Sequence, residues 1–302
     1  MLVHKKILRK TKKEIITRNK GNTADRCAPA DFFVRRTQDN LMKITIYQID
    51  AFTSEVFSGN PAAVCLLDTW INDEQLQSIA TENNLSETAF LVRNNDGFDL
   101  RWFTPTTEVA LCGHATLASA FVLFAYQGWP AEKITFQTRK SGQLSVVNRG
   151  ALLEMDFPSR PVHPITSPAG LTKALGVAPE EIFGSAEDLL VVLKREKAVR
   201  EVQPDFGALE QVECRGIIIT ARGDRSDFVS RFFAPRFGVP EDPVTGSAHC
   251  VLIPYWASVL GKNNLHAFQV SKRGGELFCT HAGERVKISG KAILYMEGTI
   301  TI

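Results

Sequence analysis

From Glu108 to Tyr126 the chain reads EVALCGHATLASAFVLFAY, and beyond His114 only Thr116, Ser119 and Tyr126 carry polar atoms. The stretch after Gly113 lacks Pro and further Gly and is poor in β-branched residues, so it predicts a helix. A helix that is apolar all round is buried rather than amphipathic. The run falls short of the roughly 18 apolar residues that a bilayer crossing needs. It must therefore lie inside a shell built by the rest of the chain. Its N-terminus at Gly113-His114 then brings unpaired N–H groups and a positive dipole end into the interior, as an anion site requires.

The pattern occurs twice. Arg101-Trp102-Phe103-Thr104-Pro105 and Arg231-Phe232-Phe233-Ala234-Pro235 share the order Arg, aromatic, Phe, small residue, Pro. Each passes through a short loop to a Gly-polar-Ala triplet, Gly113-His114-Ala115 and Gly246-Ser247-Ala248, and each triplet opens an apolar helix. Such self-similarity predicts two related halves, each a sheet around a buried helix, with two helix N-termini facing each other at the seam.

Strands are expected at residues 44–52 and 62–67, separated by the Gly59-Asn60-Pro61 turn, and at 88–92 and 98–103. Asn72 or Asp73 caps a helix that runs through Glu82. Residues 133–157 hold three further strands broken at Ser141-Gly142 and Arg149-Gly150, and the proline-rich segment 158–168 reads as a linker. In the second half, helices are expected at 171–175, 204–210 and 247–260, the last either bent by Pro254 or short of one backbone bond there. Strands are expected near 189–193, 215–221, 268–271, 277–280, 285–288 and 294–301. Strands rarely alternate with helices in the manner of βαβ units, so the fold class is α+β. It comprises two pseudo-symmetric halves, 42–158 and 159–302, each a curled, mostly antiparallel, barrel-like sheet around a central helix. The last strand is a candidate to cross back to the first half.

Charge changes the picture at one end only. Residues 1–41 hold eleven Lys/Arg against four Asp/Glu, leaving residues 42–302 at −5 within a total of +2. The basic pI belongs to this extension and gives no ground for nucleic-acid binding by the body. The extension has no apolar core of a secretory signal, and Glu14, Asp25, Asp31 and Asp39 count against a transit peptide. It is expected to be disordered, with Met42 as the functional start. Six cysteines form no Cys-x-x-Cys pair and read as reduced, in a cytoplasmic protein. The six histidines have no metal-ligand spacing, and a Walker loop and a dinucleotide fingerprint are both missing. No cofactor, metal or membrane partner is expected.

Taken singly, the polar residues near the two triplets are weak candidates. Glu87 reads as a rim charge, Asp242 as a turn-former and Ser247 as a helix cap. His114, at a helix N-terminus, is expected to be neutral because the dipole opposes a cation there. The segments DAFTSEVFSGNPAAV (50–64), LSETAFL (85–91), RWFTPTTEVALCGHATLASA (101–120) and EDPVTGSAHCVLIPYW (241–256), however, resemble the PhzF family of phenazine biosynthesis-like isomerases. The resemblance covers residues 43–302 and implies a fold like that of diaminopimelate epimerase, with the active site between the halves. It assigns catalysis to Glu87, His114 and Asp242, and substrate binding to Asn60, Ser86, Gly113, Gly246 and Ser247. It also implies a homodimer and a small carboxylic acid as substrate.

The implied reaction is a cofactor-free isomerisation in which Glu87 removes a proton from one carbon and returns it to another. A carboxylate at its ordinary pKa of about 4.3 is a weak base, so the role calls for burial. Two readings compete with it. Related epimerases use two facing cysteines; Cys112 lies close to the first such position and Asp242 stands at the second, leaving a one-thiol mechanism open. The other is a catalytically silent scaffold that keeps the fold.

Overall fold

The computed structural model describes residues 41–302; what was expected of residues 1–40 lies outside the described residues. The first half contains β1 (Lys43–Ala51), β2 (Asn60–Leu67), α1 (Asp73–Asn83), β3 (Glu87–Arg93), β4 (Phe98–Phe103), β5 (Glu108–Val109), α2 (Gly113–Ala125), β6 (Lys133–Thr138), β7 (Gln143–Asn148) and β8 (Leu153–Pro158). The second continues with β9 (His163–Pro164), α3 (Leu171–Leu175), β10 (Glu181–Gly184), β11 (Asp188–Val192), α4 (Glu196–Glu201), α5 (Phe206–Leu209), β12 (Gly216–Arg222) and β13 (Phe228–Ala234). A 3₁₀ turn follows, then β14 (Val239–Asp242), α6 (Gly246–Leu260), β15 (Asn264–Gln269), β16 (Gly275–Ala282), β17 (Arg285–Gly290) and β18 (Ala292–Thr301). No helix among them is long and apolar enough to cross a membrane.

The pairing order β1-β2-β3-β4-β6-β7-β8 is repeated as β10-β11-β12-β13-β15-β16-β17, with β5 attached to β4 and β14 to β13. β8 and β17 pair antiparallel and join the halves into one mostly antiparallel curled sheet. The strand that leaves each half then pairs with the other: β9 with β10, and β18 with β1. The expectation that strands seldom alternate with helices is corrected. β2–β3, β4–β6, β11–β12 and β13–β15 are all parallel pairs, and a parallel pair needs a crossover, supplied by α1, by α2, by α4 with α5, and by α6.

The two long helices are buried for the reason their sequence gives. α2 buries Leu117, Ala118, Ala120, Val122 and Leu123 inside the first sheet, and α6 buries Val251, Leu252 and Ile253 inside the second. Both belong to one continuous apolar core. The buried hydroxyls of α2 are satisfied within it: Thr116 donates to the Cys112 carbonyl at 2.6 Å and Ser119 to that of Ala115 at 2.7 Å. Pro254 does not interrupt α6. It lacks the N–H that would reach the Cys250 carbonyl, and the Arg160 N–H takes that carbonyl at 2.9 Å. The linker is thus docked on the helix that Pro254 left unsatisfied.

Arg101 and Arg231, the repeat's most conspicuous residues, are structural. Arg101 grips Glu108 through Nε and Nη2 at 2.7 and 2.9 Å, and Arg231 grips Glu241 at 2.7 and 3.0 Å. Each lies over the Phe two positions on. The fork fixes the loop that leads to each central helix. As a check on the core, Leu117→Ala should cost about 2–5 kcal/mol, read as a lower urea midpoint with an unchanged denaturant slope.

Candidate active site

Asn60 is the junction of the site. It follows Gly59, whose φ of 65° suits glycine and where a Cβ would stand 2.2 Å from the Ala51 carbonyl oxygen. A clamp from the second half holds this turn: Arg273 donates to Gly59 O at 2.8 Å, Ser58 O at 2.9 Å and Asp50 Oδ1 at 2.7 Å. The Asn60 side chain is fully buried, and its Nδ2 faces Asp242 Oδ1 at 2.8 Å, Val244 O at 2.9 Å and His114 Nδ1 at 3.1 Å. One amide therefore ties β2 of the first half to β14 and the head of α6 in the second.

Glu87 opens β3 and His114 is the second residue of α2. Glu87 Oε2 lies 3.1 Å from His114 Nε2, yet off the direction of the ring N–H, so the contact is an ionic approach rather than an aligned hydrogen bond. The Glu87 side chain keeps 18% of its surface open, which leaves a face for substrate. Cys112 Sγ lies 3.5 Å from His114 Nδ1. Asp242 accepts from Thr245 Oγ1 at 2.5 Å, and Gln269 holds both neighbours, donating to Asp242 O at 2.7 Å and accepting from Thr245 N at 2.8 Å.

The two central helices meet head to head. A Cβ placed on Gly113 would stand 3.6 Å from the Cα of Gly246, so the first turns of α2 and α6 adjoin across the seam. Each brings unpaired N–H groups and a positive dipole end to this contact.

Electrostatics follow from that enclosure. Burial works against a charge on His114, but Cys112 and Glu87 favour it enough to hold its pKa well above the ordinary imidazole value. Burial pushes the Cys112 thiol up to about 11, so at neutral pH the sulfur is a thiol. This pull runs against the helix dipole, which disfavours a cation at that end. Nδ1 lies among donors and Nε2 against the carboxylate, so the proton held most firmly sits on Nε2. Burial also pushes Asp242 up, with His114 opposing and Glu87 adding, to about 6. Glu87, Cys112 and His114 each bring a possible ligand atom within 4.8 Å of the others.

The structure brings Asn60, Glu87, Gly113, His114, Asp242 and Gly246 together at the seam. Ser86 is half-buried immediately before Glu87. Ser247 does not cap α6, as expected of it; its Oγ accepts from Arg215 instead. Asp242 ends β14 rather than forming a turn. Sequence reasoning missed Gln269, Thr245 and Arg215, of which only Thr245 lay within a quoted motif, EDPVTGSAHCVLIPYW.

The family profile described as phenazine biosynthesis-like protein matches residues 49–298. An uncharacterized isomerase of Pseudomonas aeruginosa is 54% identical over 261 residues, covering 86% of this chain and 100% of its own. A solved phenazine biosynthesis protein of the PhzF family from Enterococcus faecalis superposes with a TM-score of 0.84 at 46% identity, covering 86% and 99% of the two chains. A hydroxyproline epimerase from Agrobacterium vitis, at 9% identity and a TM-score of 0.54 over 86% and 93%, shares the fold.

Asp242 gives a stability test. Its native pKa, about 6, lies above its ordinary value, so the native state holds this proton more tightly than the unfolded chain does. The stabilisation is complete below about pH 4 and is lost as pH rises through about 6. Relative to Asp242→Asn, the native sequence should lose urea stability between pH 4 and 7. Parallel pH profiles of the two proteins would contradict the assignment.

Proposed function

The chain belongs to the phenazine biosynthesis-like family, a family of isomerases, and from that membership we propose that it moves a proton between carbons of a small unsaturated or cyclic carboxylic acid. The observation that supports this reading is the partly open Glu87 carboxylate, 3.1 Å from His114 at the meeting of two helix N-termini. Glu87 removes the proton and returns it on the same face of the substrate. His114 Nε2, 3.1 Å away, orients the Glu87 carboxylate toward the substrate. Charge that develops on the substrate's unsaturated system falls among the N–H groups of α2 and α6. Preorganised donors of this kind are worth about 3 kcal/mol each.

Asp242 reaches His114 only through the Asn60 amide, a group that holds geometry and does not carry protons. Its role in this reading is to fix Asn60, and through it the ring of His114. The reading calls on no coenzyme, because base, acid and anion donors are all protein groups.

The contact between Cys112 and His114 favours a second reading, a thiol-assisted epimerisation that starts from the His114-facing sulfur. It requires a thiolate that forms only near pH 11 in this surrounding. Two variants separate the readings, assayed on a panel of cyclic and α,β-unsaturated acids in D₂O by mass spectrometry. Glu87→Gln should slow deuterium uptake at carbon about 10²–10⁴-fold while Cys112→Ser keeps near-native uptake. The converse pattern would transfer the chemistry to the thiol, and native uptake in Glu87→Gln would end the proposal.

A further inference from the structure

The repeat shows where the halves differ. Thr88 pairs with Phe103 as Ile217 pairs with Phe233, so Glu87 corresponds to Gly216, Ser86 to Arg215 and His114 to Ser247. The position of the base is empty in the second half, and it is empty for a reason. A Cβ on Gly216 would stand 2.2 Å from Phe232 Cζ and 3.1 Å from Asp188 Oδ1. Those two groups form a socket for the neighbouring Arg215.

The socket is built with care for direction. The Asp188 side chain is fully buried, and its backbone is pinned to Ser185, whose Oγ donates to Asp188 O at 2.9 Å and accepts from Asp188 N at 3.0 Å. Arg215 donates to it through Nε, at 2.9 Å, and through Nη2. The guanidinium lies over the Phe232 ring, 5.6 Å from its centroid. Its far edge then presents Nη1 and Nη2 to Ser247 Oγ, each at 3.2 Å. Glu187 stands 3.5 Å from Arg215 Nε, so the positive charge is balanced locally by two carboxylates.

A guanidinium has donors and no acceptor, so Ser247 Oγ must accept from it. The single hydroxyl proton is then left to point away from Arg215, and among the described residues it finds no acceptor. Ser247 sits one residue beyond Gly246, at the head-to-head contact of the two helices.

We propose that Arg215 is a positioning residue: anchored on Asp188, it turns the Ser247 hydroxyl into a donor facing the cleft, and that donor, with the first N–H groups of α6, receives the substrate carboxylate. This rests on the reading of the cleft as a site for carboxylic acids. It gives the halves separate tasks, with proton transfer on the α2 side and carboxylate recognition on the α6 side. Arg215 acts through Ser247, because its own charge is already matched.

The test is a protein-observed NMR titration with cyclohex-1-ene-1-carboxylate and with its uncharged carboxamide. The variants are Ser247→Ala, the pair Arg215→Gln with Asp188→Asn, and all three changes together. Changing Arg215 and Asp188 together leaves no buried charge without a partner. The native protein should hold the acid about tenfold or more tighter than the amide, as a hydrogen bond to a charged group implies. Ser247→Ala and the Arg215/Asp188 pair should each reduce that ratio about fivefold or more with the amide unchanged. The triple variant should be no worse than Ser247→Ala.

Four results would overturn the proposal: no preference for the acid in the native protein, a ratio preserved when Arg215 is replaced, an equal loss of acid and amide, or a further drop in the triple variant. The last would make Arg215 a direct ligand. The titration needs no turnover, so a protein that prefers the acid yet exchanges no deuterium loses the isomerase reading and keeps this one.

Discussion

Two helices that point their N-termini at each other set the terms for everything around them. Each end carries about half a positive charge, and like ends in contact repel. The contact of Gly113 with Gly246 therefore favours a negative group close by. Glu87, at the start of β3, is placed to supply it, while Asp242, at the end of β14, is held toward its neutral form by burial. In the proposed reading, the same positive field draws the substrate anion. Fold and site thus share one electrostatic requirement, and neither helix can be withdrawn from the seam without unbalancing it.

The duplication provides the two ends, and divergence gives them different work. Outside the seam the halves remain alike: Arg101 with Glu108 and Arg231 with Glu241 make the same fork in the same place. Inside it they part. Glu87 stands against Gly216 and His114 against Ser247, so at these two positions the first half carries titratable side chains and the second does not. A reaction that moves a proton along one face of a substrate needs this asymmetry, since two equivalent bases would compete for the same carbon or act from opposite faces. The missing side chain at Gly216 is as informative as the carboxylate at Glu87.

Much of this was legible in the chain itself. The all-apolar run after Gly113 and the repeated Arg-aromatic-Phe motif report local requirements, burial on every face and a fixed loop, and both are written in adjacent residues. The four parallel pairings were not legible, because they join strands separated by a whole helix and leave no mark on either strand's own pattern. Short strands such as β10 and β14 carry Glu, Pro and Gly and look like loops until a partner strand is present. Asn60 was read as a turn residue with a binding role. That it is the junction of both halves depends on Asp242 and Val244, which lie more than 180 positions away. Gln269 and Arg215 have no sequence signal at all, since an isolated Gln or Arg is ordinarily a surface residue.

Hydrogen-bond pairing is least complete at the seam. Among the described residues, six buried side-chain polar atoms have no aligned partner, and three of them are Asn60 Oδ1, Glu87 Oε2 and His114 Nε2. Each such atom costs about 1–3 kcal/mol in the folded state, and a domain ordinarily leaves few of them. That three sit on neighbouring residues, around one carboxylate that is still partly open, is a local expense the rest of the fold must offset. Packing alone gives no reason to keep it, because apolar residues of similar size would fill the same seam at lower cost. Asn60 Oδ1, Glu87 Oε2 and His114 Nε2 thus mark one patch of polar atoms whose pairing within the described residues is incomplete.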